Sequence, residues 1–400
     1  MNVFYAWELG ANLGHIGAFL PIARQLRERQ HTVHWVVAQP HQAAHLLPAA
    51  GFSCLQAPRL PELRQKMPPL NYADILLRYG YAQPQTLLGL IVAWRKLMQQ
   101  AQATVVIADH APTAILAART LGLPVMLFGT GFVTPPASHP TPNMRPWLPV
   151  TQAQLLPADA QVLSSINAVL RHLGQPPIRR VADLFLVEEQ ALRTFAELDH
   201  YENRTNGRYW GLLPYTQAAP PRWPEAVGPK VFAYLRPNSA HFEAALQALH
   251  QLEGSILVFA PGISPQLCER FTARHMHFTV EPVDLKLAAL EADAAITYGS
   301  PSASVAFLLA GKPVVMLPGH LEQLLQALRI VQLGAGLLID PNWPSTELPT
   351  LLKKVLTEPS FAANARAFAQ KYAGFNQEAL ITTLVQRIEA IAAGQVASTA

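Results

Sequence analysis

Residues 104–128, TVVIADHAPTAILAARTLGLPVMLF, and residues 294–317, AAITYGSPSASVAFLLAGKPVVML, are built to one plan. Each opens on a short apolar run, passes through a turn, continues as a helix-forming stretch, and ends in a glycine, a proline and a second apolar run. A continuous apolar run of this length is how a strand buried on both faces reads, and two such strands joined by a helix form the right-handed unit of a parallel sheet. The plan occurs once in each half of the chain. Two similar α/β halves, each a doubly wound Rossmann-like parallel sheet, are the architecture it predicts.

Working outward, residues 3–7 read as a first strand and 8–14 as a turn, and Ile16, Phe19, Leu20, Ala23 and Leu26 recur at helical spacing before a second strand at 32–37. Residues 214–229, PYTQAAPPRWPEAVGP, hold five prolines between two apolar patterns, as a linker would. The expected division is therefore an N-terminal domain over 1–213, a linker over 214–229, a C-terminal domain over 230–375, and a helix over 376–400 that crosses back, ending in a frayed VASTA. Residues 130–149, TGFVTPPASHPTPNMRPWLP, are too proline-rich for a helix; they form either a loop over a site or an irregular packed surface.

Composition narrows the class. Four hundred residues, half of them hydrophobic and only 14% charged, can bury a large core in more than one domain. Thirty Lys and Arg against 26 Asp and Glu leave +4, too mild and dispersed for a surface that tracks nucleic-acid phosphates. Cys54 and Cys268 show neither metal nor redox spacing and read as reduced, buried thiols. The N-terminus lacks a basic segment followed by a long apolar one, and no apolar run is long enough to span a bilayer, so a cytoplasmic protein without a transmembrane segment is expected.

In an open parallel sheet ligands bind past the carboxyl ends of the strands, which directs attention to the turns after Trp7, Ala108 and Thr297. The first, ELGANLGHIG, lacks the glycine spacing of a dinucleotide site, but presents His15 at a helix start, where the positive end of the dipole favours the neutral imidazole. Asp109 lies on the same rim and is able to orient that imidazole as a carboxylate does in a hydrolase triad. Alternatively, His15 merely starts a helix and Asp109 caps one. In the third turn Tyr298, Gly299, Ser300, Ser302 and Ser304 lead into a helix whose N–H groups and hydroxyls suit a phosphate, or they are ordinary caps. Glu322 and Gln323 open the next helix, an adjacent carboxylate and amide able to hold sugar hydroxyls. Arg236, after VFAYL, is placed to balance phosphate charge. His41 and His45 in HQAAH lack a third ligand and the glutamate of a zincin, so no metal site is expected.

The stretch GHIGAFLPIARQL resembles the opening helix of family 1 glycosyltransferases of the GT-B fold, VVIADHAPTAILAARTLGLPVM resembles a later strand and helix of that family, and AAITYGSPSASVAFLLAGKPVVMLPGHLEQLLQALRIVQLGAG its donor-site motif. The resemblance spans both halves in order. It implies a metal-independent inverting transferase of the hexosyltransferase type, with no bound cofactor and a nucleotide diphosphate sugar, UDP- or dTDP-linked, as co-substrate. His15 would be the general base and Asp109 its support, Tyr298, Gly299, Ser300, Ser302, Ser304, Arg236, Glu322 and Gln323 the donor side, and Gly14 and Phe132 the acceptor side. The chain departs from the family pattern at the diphosphate loop, where Tyr298 stands in place of a histidine. A binding protein without productive donor use, or a sugar-nucleotide epimerase or hydrolase, shares the architecture.

Overall fold

A computed structural model describes residues 1–11, 14–202, 204–212, 218–340 and 347–396. The chain divides into two compact units, Met1–Gly211 with Asn376–Ala400, and Leu212–Phe375.

The first unit is built on six parallel strands: β1 (Asn2–Trp7), β2 (Thr32–Val37), β3 (Cys54–Gln56), β4 (Val105–Asp109), β5 (Val125–Gly129) and β6 (Glu189–Leu192). Their order across the sheet is β3-β2-β1-β4-β5-β6. β1 and β4 are buried along almost their whole length, and for this reason they read as unbroken apolar runs rather than alternating ones. Helix Gly14–Glu28 lays Ile16, Phe19, Leu20, Ala23 and Leu26 against the sheet, and Phe19 stacks on Tyr5 with ring centroids 4.6 Å apart.

The second unit repeats the design with β7 (Lys230–Tyr234), β8 (Ser255–Phe259), β9 (Met276–Thr279), β10 (Ala294–Thr297), β11 (Val314–Met316) and β12 (Gly336–Leu338), ordered β12-β11-β10-β7-β8-β9. Numbered within each unit, both sheets run 3-2-1-4-5-6, the order in which the winding reverses between the first and fourth strands. That reversal leaves a crevice at the carboxyl ends of β1 and β4 in one unit and of β7 and β10 in the other.

Three local expectations are corrected by the structure. The pattern over 361–393, which reads as one helical stretch, is two helices, Pro359–Lys371 and Gln377–Ala392. The second returns to the first unit, where Glu389 meets Arg29 and His31, and Arg387 meets Glu189. The start of the proline-rich linker stretch, residues 214–217, lies outside the described residues, as do 213 before it, 397–400 of the VASTA tail and Asn12 and Leu13 of the first turn. From Ala219 onward the stretch is fastened to the second unit: Ala219 pairs with Val283, and the Ser255 hydroxyl donates to the Pro224 carbonyl. Cys54 and Cys268 are free but only half-buried, each standing where its sheet or helix meets solvent. No helix among the described residues is long and apolar enough to cross a membrane.

Candidate active site

β1 and β4 lie side by side with Trp7 opposite Asp109, so the turn after β1 and the end of β4 meet at the crevice. Asp109 closes the strand itself rather than opening the turn, a shift of one residue from the sequence reading. The helix that begins at Gly14 carries His15 back over this point, and His15 Nδ1 stands 2.9 Å from Asp109 Oδ1. The pair is at hydrogen-bond distance without being aligned as one, and neither atom has another hydrogen-bond partner among the described residues. The imidazole is stacked on the Trp7 indole, centroids 4.9 Å and planes 19° apart. Trp7 is locked in turn by its Nε1–H, which donates to the Leu9 carbonyl at 2.8 Å.

Asp109 is fully buried, yet it is kept ionised. Burial alone would raise its carboxyl; the charges of His15 and Arg193, the close approach of the His15 ring and the hydrogen bond from Tyr5 outweigh that and hold it below the ordinary aspartate range. Its Oδ2 accepts from the Tyr5 hydroxyl at 3.0 Å and from Arg193 Nη2 at 3.1 Å. The other ring nitrogen of His15, Nε2, faces Gly10. A Cβ at Gly10 would sit 3.3 Å from that nitrogen and 3.4 Å from His110 Nδ1, and the residue adopts φ +83°, so both space and backbone require glycine here. Gly14, at the helix start, has open space where a Cβ would project.

Glu8 ties the two turns together. Its buried carboxylate accepts from the Thr113 N–H at 2.8 Å, near the start of helix Pro112–Thr120, and the Leu9 N–H donates to the His110 carbonyl beside it. Burial pushes this carboxyl up to about 7, against the hydrogen bonds from Thr113 and Ala114 and the charge of Arg59. Phe132 is buried with its ring edge-on to His110 at 6.4 Å and 5.9 Å from His200. The proline-rich stretch that carries it is packed at its start, where Arg204 donates to the Thr134 carbonyl at 2.8 Å and pairs with Asp199, and exposed at Trp147 and Leu148.

In the second unit the corresponding crevice sets Thr297 opposite Tyr234. The Tyr298 ring meets the Tyr234 ring edge-on at 4.8 Å, and the Arg236 guanidinium lies over both, 5.1 Å and 5.4 Å from their centroids, donating to the Tyr234 hydroxyl at 3.1 Å. Burial, then Tyr298, raises the Tyr234 phenol, whereas the two tyrosines raise Arg236 against its own burial. Arg236 is therefore a cation held in place by aromatic faces.

Gly299, at φ +83°, brings the turn after β10 onto the turn after β11: a Cβ there would meet Gln323 Cβ at 3.0 Å and Pro318 Cα at 3.1 Å. Gln323 is buried, and its Oε1 accepts from the Gly319 N–H at 2.8 Å. Glu322, half-buried beside it, opposes the lowering that burial imposes on His320.

The serines divide. Ser300 caps helix Pro301–Leu309 by accepting from the Ala303 N–H, and the Gly299 N–H is taken by Thr297 Oγ1 at 3.3 Å. The expectation for Ser304 is corrected: its hydroxyl is buried against Thr297 Oγ1 at 3.1 Å, because it falls on the helix face that packs onto the strand. Ser302 is half-buried, and its hydroxyl makes no hydrogen bond among the described residues.

No known family model matches the chain. A PGL/p-HBAD biosynthesis glycosyltransferase of Mycobacterium tuberculosis is 24% identical over 399 residues, an alignment covering 92% of this chain and 89% of that protein. CalG4, the calicheamicin glycosyltransferase, has a TM-score of 0.72 to this chain at 18% identity, over 97% of both. The fold is GT-B, and the chain is a relative of glycosyltransferases. SpnG, a spinosyn rhamnosyltransferase whose structure was solved with thymidine diphosphate, has a TM-score of 0.69 at 18% identity, covering 96% of this chain and 100% of that one.

Several residues of these GT-B crevices escape a reading of sequence. Tyr5 shares a strand face with Trp7 and Val3, so it reads as core, and only the pairing of β1 with β4 brings its hydroxyl to Asp109. Arg193 arrives from far along the chain; the one signal it gives is a charge directly after a buried strand. Glu8 and Gly10 are visible in the first turn as residue types without a visible purpose. A cavity of about 650 Å³ in the same unit, lined in part by Arg119, Pro124, Ile178, Asp183 and Ile391, touches none of these residues and carries none of this chemistry.

Proposed function

We propose that the chain is an inverting glycosyltransferase that moves a sugar from a nucleoside diphosphate to a hydroxyl of a small acceptor. The observation that carries this reading is the His15–Asp109 pair at the crevice of the first sheet, with Asp109 buried and ionised and Nε2 beside Gly10. In the reaction His15 Nε2 takes the acceptor's hydroxyl proton as that oxygen attacks the anomeric carbon. The bond from that carbon to the diphosphate oxygen breaks, the electron pair leaves with the diphosphate, and the configuration inverts. Asp109 orients the imidazole and stabilises its protonated form.

On the donor side Arg236 and the Ser302 end of helix Pro301–Leu309 would meet the diphosphate, while Gln323 and Glu322 would hold the sugar. Charge on the leaving group is then balanced by the guanidinium and the helix rather than by a metal. Gly14 and Phe132 belong to the acceptor side. The thymidine diphosphate in SpnG and the glycosyltransferase names of the relatives support the donor class, UDP- or dTDP-linked.

A second reading, a binding protein without productive donor use, is favoured by one observation: the Gly299 N–H, the Ser300 hydroxyl and the Ser304 hydroxyl are all engaged within the protein. Calorimetric titration with UDP and dTDP, followed by transfer assays with a panel of nucleotide sugars and hydroxylated aromatic acceptors, separates the two. Transfer that is lost in His15→Ala with donor affinity retained supports the transferase. Failure of both nucleotides to bind at millimolar concentration overturns it.

A further inference from the structure

We infer that Arg193 is a positioning residue for the His15–Asp109 pair: its guanidinium holds the outer oxygen of Asp109 and keeps the pair from retaining a proton at neutral pH. The inference rests on the reading of His15 as a base, and it assigns a role to a residue that neither its place in the chain nor its spacing suggests.

The geometry is specific. Arg193 follows β6 and is only 6% exposed. Nη2 donates to Asp109 Oδ2 at 3.1 Å, Nε donates to the Phe128 carbonyl at 3.3 Å, and the guanidinium lies over the Phe128 ring, 4.7 Å from its centroid. A planar fork fixed at three points has one position, which a lysine would not share. Tyr5 takes the same oxygen at 3.0 Å while its hydroxyl also stands 2.9 Å from the His15 carbonyl, so Oδ1 is the oxygen left for Nδ1 of the imidazole. Arg193 thereby sets which carboxylate oxygen faces the histidine and at what angle.

It also sets charge. With Arg193 cationic and Asp109 anionic, the neutral imidazole completes a group of net charge zero. A positive charge beside a pair opposes any further proton on it. Without Arg193, a buried carboxylate and an imidazole would share one proton more tightly, and a base already carrying that proton cannot accept the acceptor's. The other titratable groups beside the pair among the described residues are Tyr5 on β1 and His110 after β4; neither supplies a fixed positive charge.

The test compares Arg193→Gln, which keeps an N–H donor and removes the charge, with Arg193→Lys, which keeps the charge and loses the fork. The His15 ring is titrated by NMR in the free protein, which needs no substrate, and the pH profile of transfer is measured alongside. In R193Q the His15 midpoint should rise by about one pH unit, a tenfold tighter hold on the proton, and the acid limb of the rate profile should move up with it. R193K should return most of that shift while its turnover stays below wild type. Identical His15 titrations in wild type and R193Q overturn the inference, whatever their activities. If R193Q does not fold, Asp109→Asn is added to it: recovery of folding in the double variant ties Arg193 to Asp109, and continued failure shows that it serves the Phe128 contact instead and overturns the role. Absence of transfer in wild type overturns the proposed function and leaves the titration to decide Arg193.

Discussion

Asp109→Asn keeps the shape of the side chain and reverses the logic of the site. Two donors, the Tyr5 hydroxyl and Arg193 Nη2, converge on Oδ2, while a single imidazole nitrogen faces Oδ1. An amide has one accepting oxygen and one donating nitrogen. The oxygen will turn to the side where two donors meet, so the NH2 group faces His15 Nδ1. That nitrogen must then accept, which places the ring proton on Nε2, the atom that takes the acceptor's proton in the proposed mechanism. The tautomer is wrong for a base. Turnover should fall by about 10³- to 10⁴-fold, about 4 to 5.5 kcal/mol of transition-state stabilisation. A carboxylate that only oriented the ring would give a milder effect than loss of His15; the direction forced on the amide removes that difference. The variant also leaves Arg193 buried without its anion, a loss of about 3 to 5 kcal/mol in stability. The assay is saturating initial rate, with donor affinity by calorimetry, a denaturation curve to confirm folding, and the His15 tautomer by NMR. Turnover within threefold of wild type, or an imidazole still protonated on Nδ1, would refute the reasoning.

Gly10→Ala should cut turnover at least tenfold with the fold intact by circular dichroism, because the new methyl meets His15 Nε2 in a backbone conformation at φ +83° that costs about 1 to 3 kcal/mol; unchanged turnover would place the reacting hydroxyl elsewhere. Arg236→Met should weaken UDP or dTDP binding by about 1.5 to 3 kcal/mol, the worth of a charge-assisted hydrogen bond, whereas Tyr298→Phe, which leaves the ring beneath Arg236, should change affinity less than threefold; calorimetry giving the opposite ranking would make the tyrosine hydroxyl the phosphate ligand. Glu8 has its carboxyl pushed up to about 7 from 4.5, so the folded protein holds that proton more tightly than the unfolded chain does, and the stability this contributes is present below about 4.5 and lost as pH rises to 7. Glu8→Gln keeps the oxygen that accepts from Thr113 and carries no charge. It should therefore exceed wild type in stability at pH 8 by up to about 3 kcal/mol and match it below pH 4.5; chemical denaturation at both pH values that finds wild type the more stable at pH 8 contradicts this.

Much of this protein is local and therefore legible in the chain. The repeated run, turn, helix, glycine and proline of 104–128 and 294–317 specify two parallel sheets, since unbroken apolar strands require cover on both faces. Strand ends are equally local signals, so His15, Asp109, Tyr298 and Gln323 are found at crevice positions by reading alone. What a strand end cannot disclose is which distant segment packs beside it. Strand order decides that: β1 lies next to β4 and β5 next to β6, which brings Tyr5 and Arg193 to one carboxylate across 104 and 84 residues of chain. Direction is likewise tertiary. Ser304 reads as one more hydroxyl at a helix start, yet the helix is rotated so that it packs on Thr297, and Tyr298 reads as a phosphate donor while its ring serves Arg236. Sequence determined the sheets and the rim because those depend on neighbours a few residues apart. The partners and charge of Asp109 depend on donors that meet only when the sheet is assembled, so the tertiary structure alone decided them.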